Sequence, residues 1–163
     1  MFVLGRDLGL TAPGYGLVHS GGPARAAAAG VIRTDPDLGV AKRLAVLYDG
    51  LVEVIGEHRP DAVALETVFT NRNLNTAISV GRASGVAILA AARAGLEVSE
   101  YAPTAVKAAV TSDCSAGKQA VASMVARLLR LEDRPRPADA LAVALCHLRT
   151  APLTMRTSRR GGP

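Results

Sequence analysis

The sequence predicts an α/β domain built on one mixed five-stranded sheet with helices on both faces. Three observations point there. The first 33 residues alternate short apolar runs with Gly/Pro punctuation, a helical period then separates two further apolar runs, and the chain finishes in helical patterns. A strand–helix–strand crossover makes the later strand parallel to a neighbour, and a sheet with parallel members needs cover on each face.

Each element has its own signal. "MFVLGRDL" reads as a first strand, "GYGLVHS" as a second entered through the Pro13-Gly14 bend, and "RAAAAGVIRT" as a third, together an antiparallel meander. Over 40–58, Val40, Leu44, Leu47, Leu51, Val54 and Ile55 recur at helical spacing, and Pro60 closes the helix. "DAVALE" at 61–66 is a fourth strand ending in a carboxylate, followed by a helical pattern over 73–94. Within that helix Gly81 and Gly85, four apart, predict a neighbouring element packed close against it. "LEVSEYA" is a fifth strand, and "PTAVKAAV" opens a helix with Pro103 in its first turn. "GKQAVASMVARLLRL" puts Val121, Met124, Val125, Leu128 and Leu129 on one face, and a last helix covers 137–149.

A length of 163 residues suits one domain, expected over 1–152, with a basic, mobile tail over 153–163 that carries Arg156, Arg159 and Arg160. No stretch approaches the ~20 uninterrupted apolar residues of a membrane span. Arg6 and Asp7 break the first apolar run before any signal-peptide pattern develops, so a cytoplasmic location is expected. Cys114 and Cys146 lie outside CxxC spacing, which argues against a zinc site or a disulfide framework and for two free thiols. The net charge is +5, and 16 of the 19 basic residues are arginine, whose forked donors suit a polyanionic partner. A GC-rich genome produces the same arginine- and alanine-rich balance, so charge leaves the partner open.

The chemistry concentrates in carboxylates. Asp7 and Glu66 each end a strand, and if the first and fourth strands are parallel neighbours, both acids project into the crevice where open α/β sheets bind ligands. Like charges this close call for a cation, and oxygen donors select a hard ion such as Mg²⁺ or Mn²⁺. A strand-end acid facing water satisfies the same spacing. Asp139 in "RPRPADALAVALCHL" is a third acid, in the first turn of the last helix, where it also complements the helix dipole.

Up to about Pro152 the chain resembles RuvC-type Holliday junction resolvases. The segments are "VLGRDLGLTAPGYGLV", "IRTDPDLGVAKRLAVLYDGL", "RPDAVALETVF", "VGRASGVAILAAARAGLEV", "TAVKAAVT", "SAGKQAVASMVARLL" and "PADALAVALCH", in the family's order. The resemblance implies an RNase H-like fold and a homodimeric, metal-dependent endonuclease that cuts two opposed strands of a four-way junction. It implies Asp7, Glu66 and Asp139 as the catalytic, metal-holding acids, with Mg²⁺, or Mn²⁺ as a substitute, at up to two ions per subunit. Phe69 of "ETVF" becomes a residue that stacks on unpaired bases. Lys107 and Lys118 become contacts to the phosphate being cut, and Arg72, Asn73 and Arg82 backbone contacts. A branch-migration complex of the RuvA and RuvB type is an implied partner, and a membrane is not.

Three departures from the family pattern touch the site. The first strand reads "GRDLG", with Arg6 where an aliphatic residue is usual. The last helix keeps one acid of two, with Arg136 at the earlier position or a short deletion in place of the other acid. The loop "TSDCSAGK" replaces common glycines with Ser112 and Cys114. A cation in place of a ligand weakens a second metal, so a weakened or non-cleaving junction-binding relative is the alternative, with Asp113 as a candidate substitute ligand. Two further readings share the first-strand motif or the fold: one lobe of an actin-like ATPase, and a ribosomal-RNA-processing nuclease of the YqgF type.

Overall fold

The computed structural model describes residues 1–6, 11–67 and 74–151, with Phe2 and Arg6 described by backbone alone. In chain order these form β1 (Phe2–Arg6), β2 (Gly14–His19), β3 (Arg25–Val31), α1 (Val40–His58), β4 (Ala62–Glu66), α2 (Leu74–Arg93), β5 (Glu97–Tyr101), α3 (Pro103–Thr111), α4 (Lys118–Leu129) and α5 (Ala138–Thr150). The strands make one sheet in the order β3-β2-β1-β4-β5. The first three pair antiparallel as a meander, and β4 adds parallel to β1 and to β5, so the sheet is mixed as the sequence predicts.

Period-two alternation divides the sheet between two cores. Val3, Val18 and Ala64 face α3, α4 and α5, where Val106, Val125, Leu141 and Leu145 meet them. Leu4, Leu17, Val63 and Leu65 face α1 and α2, against Leu47, Leu51, Ala83 and Ala87. Ten of the 13 residues of α5 are buried, which makes it the central helix of its layer. Its backbone rests directly on the sheet. A Cβ on Gly5 would overlap the Ala140 carbonyl oxygen and come within 2.6 Å of the Ala144 nitrogen, and one on Gly16 would reach 2.7 Å from the Leu141 side chain.

α1 spans the predicted 40–58 and stops for two reasons: Arg59 turns left-handed at φ 45 and donates its N–H to Ile55 O, and Pro60 then forbids continuation. Its buried stripe is shorter than the sequence spacing suggests. Val40 is exposed and Leu44 half-buried, because only the later turns, from Leu47 on, lie over the core.

The reading of Gly81 and Gly85 is corrected. A Cβ at either would meet nothing within 4 Å. α2 contacts its own domain through Ala83, Ala87, Ala90 and Ala91 on the opposite side, so the glycines face outward. α2 is long and apolar enough to cross a membrane by length and composition. However, its alanine face is seated on α1 and the sheet, which leaves one side for any other surface. The predicted helix start at Asn73 and the tail over 153–163 lie outside the described residues.

Candidate active site

Glu66 ends β4. It shares a face with Ala64, so strand alternation assigns it to the α5 side of the sheet, where it is half-buried and in register with Tyr101 of β5. β1 runs parallel to β4 and ends with Arg6 beside Leu65. Asp7, the next residue, lies outside the described residues, as do Phe69, Arg72 and Asn73. Across β1, Gly14 opens β2, and a Cβ there would touch the Pro137 side chain at 3.3 Å and that of Ala140 at 3.9 Å. The first turn of α5 therefore sits at the end of the sheet where β1 and β4 finish, and Asp139 belongs to that turn.

Asp139 is ion-paired with Lys118, the first residue of α4, at 3.8 Å; the side chains are 40% and 90% exposed. An exposed pair at this distance is a weak interaction, easily exchanged for a stronger partner. Lys107 is half-buried on α3, in the same layer. Glu66, Asp139, Lys107 and Lys118 thus belong to one side of the sheet. Arg82 does not join them: it is exposed on α2, which covers the other side. Arg136 is exposed just before α5 and, among the described residues, the cation that pairs with Asp139 is Lys118.

Asp113 has a local task. The Ser115 hydroxyl (2.7 Å) and the Ser115 N–H (2.8 Å) both donate to Asp113 Oδ1, an Asx turn that leads from α3 toward α4. These bonds, with a smaller contribution from Lys107, hold the carboxyl below its ordinary 3.8. The sign follows: the turn's contribution is complete above that ordinary value and disappears as pH falls through the lowered one. The melting temperature of Asp113→Ala should lie a constant amount below wild type at neutral pH, and the gap should close in strong acid. A gap that widens below pH ~4 contradicts the assignment.

Among the described residues, no group of three acidic, histidine or cysteine residues is arranged to hold a metal; Glu66 and Asp139 are two of the three expected acids. Both offer hard carboxylate oxygens, a donor type that suits Mg²⁺ or Mn²⁺ rather than a soft ion. The cysteines are free, Cys114 exposed and Cys146 buried, and burial raises the Cys146 thiol. An apolar groove of about 300 Å³ between α1 and α2, lined by Tyr48, Val52, Ile55 and Arg93 among others, lies on the side away from Asp139.

Two interactions had no separate signal in the sequence. Arg43 of α1 donates to Thr34 Oγ1 (3.1 Å) and Thr11 Oγ1 (2.9 Å), and Thr34 N–H donates to Thr11 O (3.1 Å). The chain leaving the β1–β2 connection is thereby tied to α1. The Tyr101 hydroxyl shares a hydrogen bond with His147 Nδ1 at 2.8 Å across 46 residues of sequence.

The family model "Crossover junction endodeoxyribonuclease RuvC" matches residues 3–147. The protein of that name from Halorhodospira halophila is 48% identical over 160 residues, 96% of each chain. Its counterpart from Salinispora arenicola is 47% identical over 99% of each. The solved structure of Thermus thermophilus RuvC in complex with Holliday junction substrate superposes with a TM-score of 0.89 at 38% identity, covering 95% of this chain and 97% of that one. With the family model spanning nearly the whole described fold and these identities extending end to end, the chain belongs to the RuvC family of crossover junction endodeoxyribonucleases.

Proposed function

We infer that this chain is a structure-selective endodeoxyribonuclease that resolves four-way DNA junctions by cutting two opposed strands. The observation that carries the reading is the seating of Asp139 at the ends of β1 and β4, on the face Glu66 shares, in a member of a metal-dependent nuclease family. We assign Asp7, Glu66 and Asp139 as its catalytic, metal-holding acids. The described register of β1 and β2 ends at Arg6 opposite Tyr15, and the first turn of α5 covers Gly14, the preceding residue of β2. Mg²⁺, with Mn²⁺ as a substitute and up to two ions per subunit, supplies an activated water and charge neutralisation at the phosphodiester when bound. Glu66 and Asp139 orient the site, and Lys118 and Lys107 neutralise phosphate oxygens from the α4 and α3 side. Phe69 stacks on unpaired bases, and Arg72, Asn73 and Arg82 hold backbone phosphates, which sets orientation rather than sequence.

A synthetic four-way junction incubated with Mg²⁺ or Mn²⁺ should be nicked symmetrically, and the same DNA should shift in a gel without metal. Binding without nicking is the outcome expected of a non-cleaving relative. Family membership, and the pairing of Asp139 with Lys118 rather than Arg136, favour the cleaving enzyme. Membership also sets aside the ATPase-lobe reading. We assign the protein to the cytoplasm, with a branch-migration complex of the RuvA and RuvB type as its proposed partner.

A twofold substrate calls for a twofold protein. We assign the dimer contact to the outer face of α2, where Leu74, Ile78, Ile88 and Leu89 are exposed beside Gly81 and Gly85, with Arg82 at the rim. Gly85→Arg, which meets nothing inside its own chain, should leave the fold intact and shift sedimentation from dimer to monomer. An unchanged sedimentation coefficient contradicts this interface.

A further inference from the structure

We propose that Tyr101 and His147 form a cross-brace that sets the separation of Glu66 and Asp139, and so act as positioning residues for the metal-binding acids. The inference rests on the junction-nuclease reading above. Tyr101 is joined to the Glu66 end of the sheet twice. It is the register partner of Glu66 across the parallel β4–β5 pair, and its carbonyl accepts the Thr67 N–H at 2.9 Å. The side chain points into the core shared with α5, on the side of the sheet to which Glu66 belongs.

There the Tyr101 hydroxyl meets His147 Nδ1 at 2.8 Å, and the two rings pack edge to face with centroids 5.9 Å apart. His147 is 2% exposed and stands on α5 a little over two turns past Asp139. One acid is therefore on the strand that Tyr101 pairs with, and the other on the helix that carries His147. The side-chain bond closes the loop between them.

Apolar packing alone permits small slides of a helix over a sheet, because a hydrophobic contact has no preferred direction. A buried hydrogen bond is directional, and breaking it leaves an unsatisfied polar group in the core, so it fixes the register of α5 against β5. Oxygen ligands need placement to within about half an ångström, and a bond between their supporting elements is one way to hold it.

Tyr101→Phe keeps the ring and removes the bond. Its effect should appear as Mn²⁺ affinity of the free protein, measured by calorimetry, weakened about fivefold to tenfold. Single-turnover cleavage of a pre-bound junction should slow by about tenfold, with junction affinity within twofold of wild type. His147→Leu should match it. His147→Asn, which returns a polar atom near the Nδ1 position, should recover most of the Mn²⁺ affinity. The double variant Tyr101→Phe/His147→Leu should be no worse than the poorer single one. A fall in melting temperature with Mn²⁺ affinity unchanged overturns the proposal and leaves the pair as packing alone, whatever happens to the rate. Losses that simply add in the double variant overturn it as well. A wild type that neither binds Mn²⁺ nor cuts overturns the nuclease reading and the brace with it, whereas a wild type that cuts as well as Tyr101→Phe does overturns only the brace.

Discussion

Asp139→Asn is expected to lower junction cleavage by roughly 10³-fold, about 4 kcal/mol of transition-state stabilisation, while leaving junction affinity and fold in place. The substitution is nearly isosteric and acts at a half-exposed side chain whose ion pair is with a 90% exposed lysine. Losing such a pair costs at most about 1 kcal/mol, and losing a negative charge from the first helical turn a similar or smaller amount. On the proposed assignment the charge matters instead as a hard metal ligand, and it is the counter-charge to Lys118. Single-turnover cleavage, gel shift and a thermal melt on one preparation separate these effects. Cleavage within tenfold of wild type shows that the reacting phosphodiester lies elsewhere.

Gly5→Ala is expected to be the most damaging small substitution in the sheet, destabilising the protein by about 3 kcal/mol. The added methyl would occupy the space of the Ala140 carbonyl oxygen and crowd the Ala144 nitrogen and Cβ. These are mostly backbone atoms of a helix buried along nearly its whole length, so no side chain can swing aside. α5 would have to lift from β1, carrying Asp139 with it, and activity should fall alongside stability. Gly22→Ala, in open space, is the matched control and should change stability by less than about 0.5 kcal/mol. Equal urea midpoints for the two variants rule out the close contact.

The difference between these glycines shows what the sequence could and could not carry. Element identity was legible wherever a period and a stop signal coincided, as over 40–58 with Pro60, or at Pro103 in the first turn of α3. The crossover called for a parallel neighbour to β4, and β1, considered as that neighbour, is one of the two it has. That pairing puts Glu66 beside the end of β1, with Asp7 next in sequence. What lies over a glycine was not legible. Gly81 and Gly85 looked like a close approach and meet nothing of their own chain, whereas Gly5 and Gly16 carry the helix contact. A missing side chain states that nothing is needed there and is silent on what comes near.

Two polar links were hidden for a similar reason. Thr11, Thr34 and Arg43 are unremarkable in isolation, and Tyr101 and His147 are 46 residues apart, so each link exists only once the sheet has assembled. Asp113 carries a turn that the sequence reading did not single out. Its place in the loop before α4 suggested a substitute ligand; a serine two residues on is a common turn partner, and one carboxylate oxygen accepts from it.

The burial of α5 has a consequence for how the enzyme meets heat. Amides in a helix enclosed along its length exchange with solvent only when the whole domain opens, so deuterium uptake just past the acidic first turn should track global unfolding. Asp139, the proposed catalytic acid, is mounted on this protected element and has no local melting route of its own, so inactivation and denaturation should share one temperature.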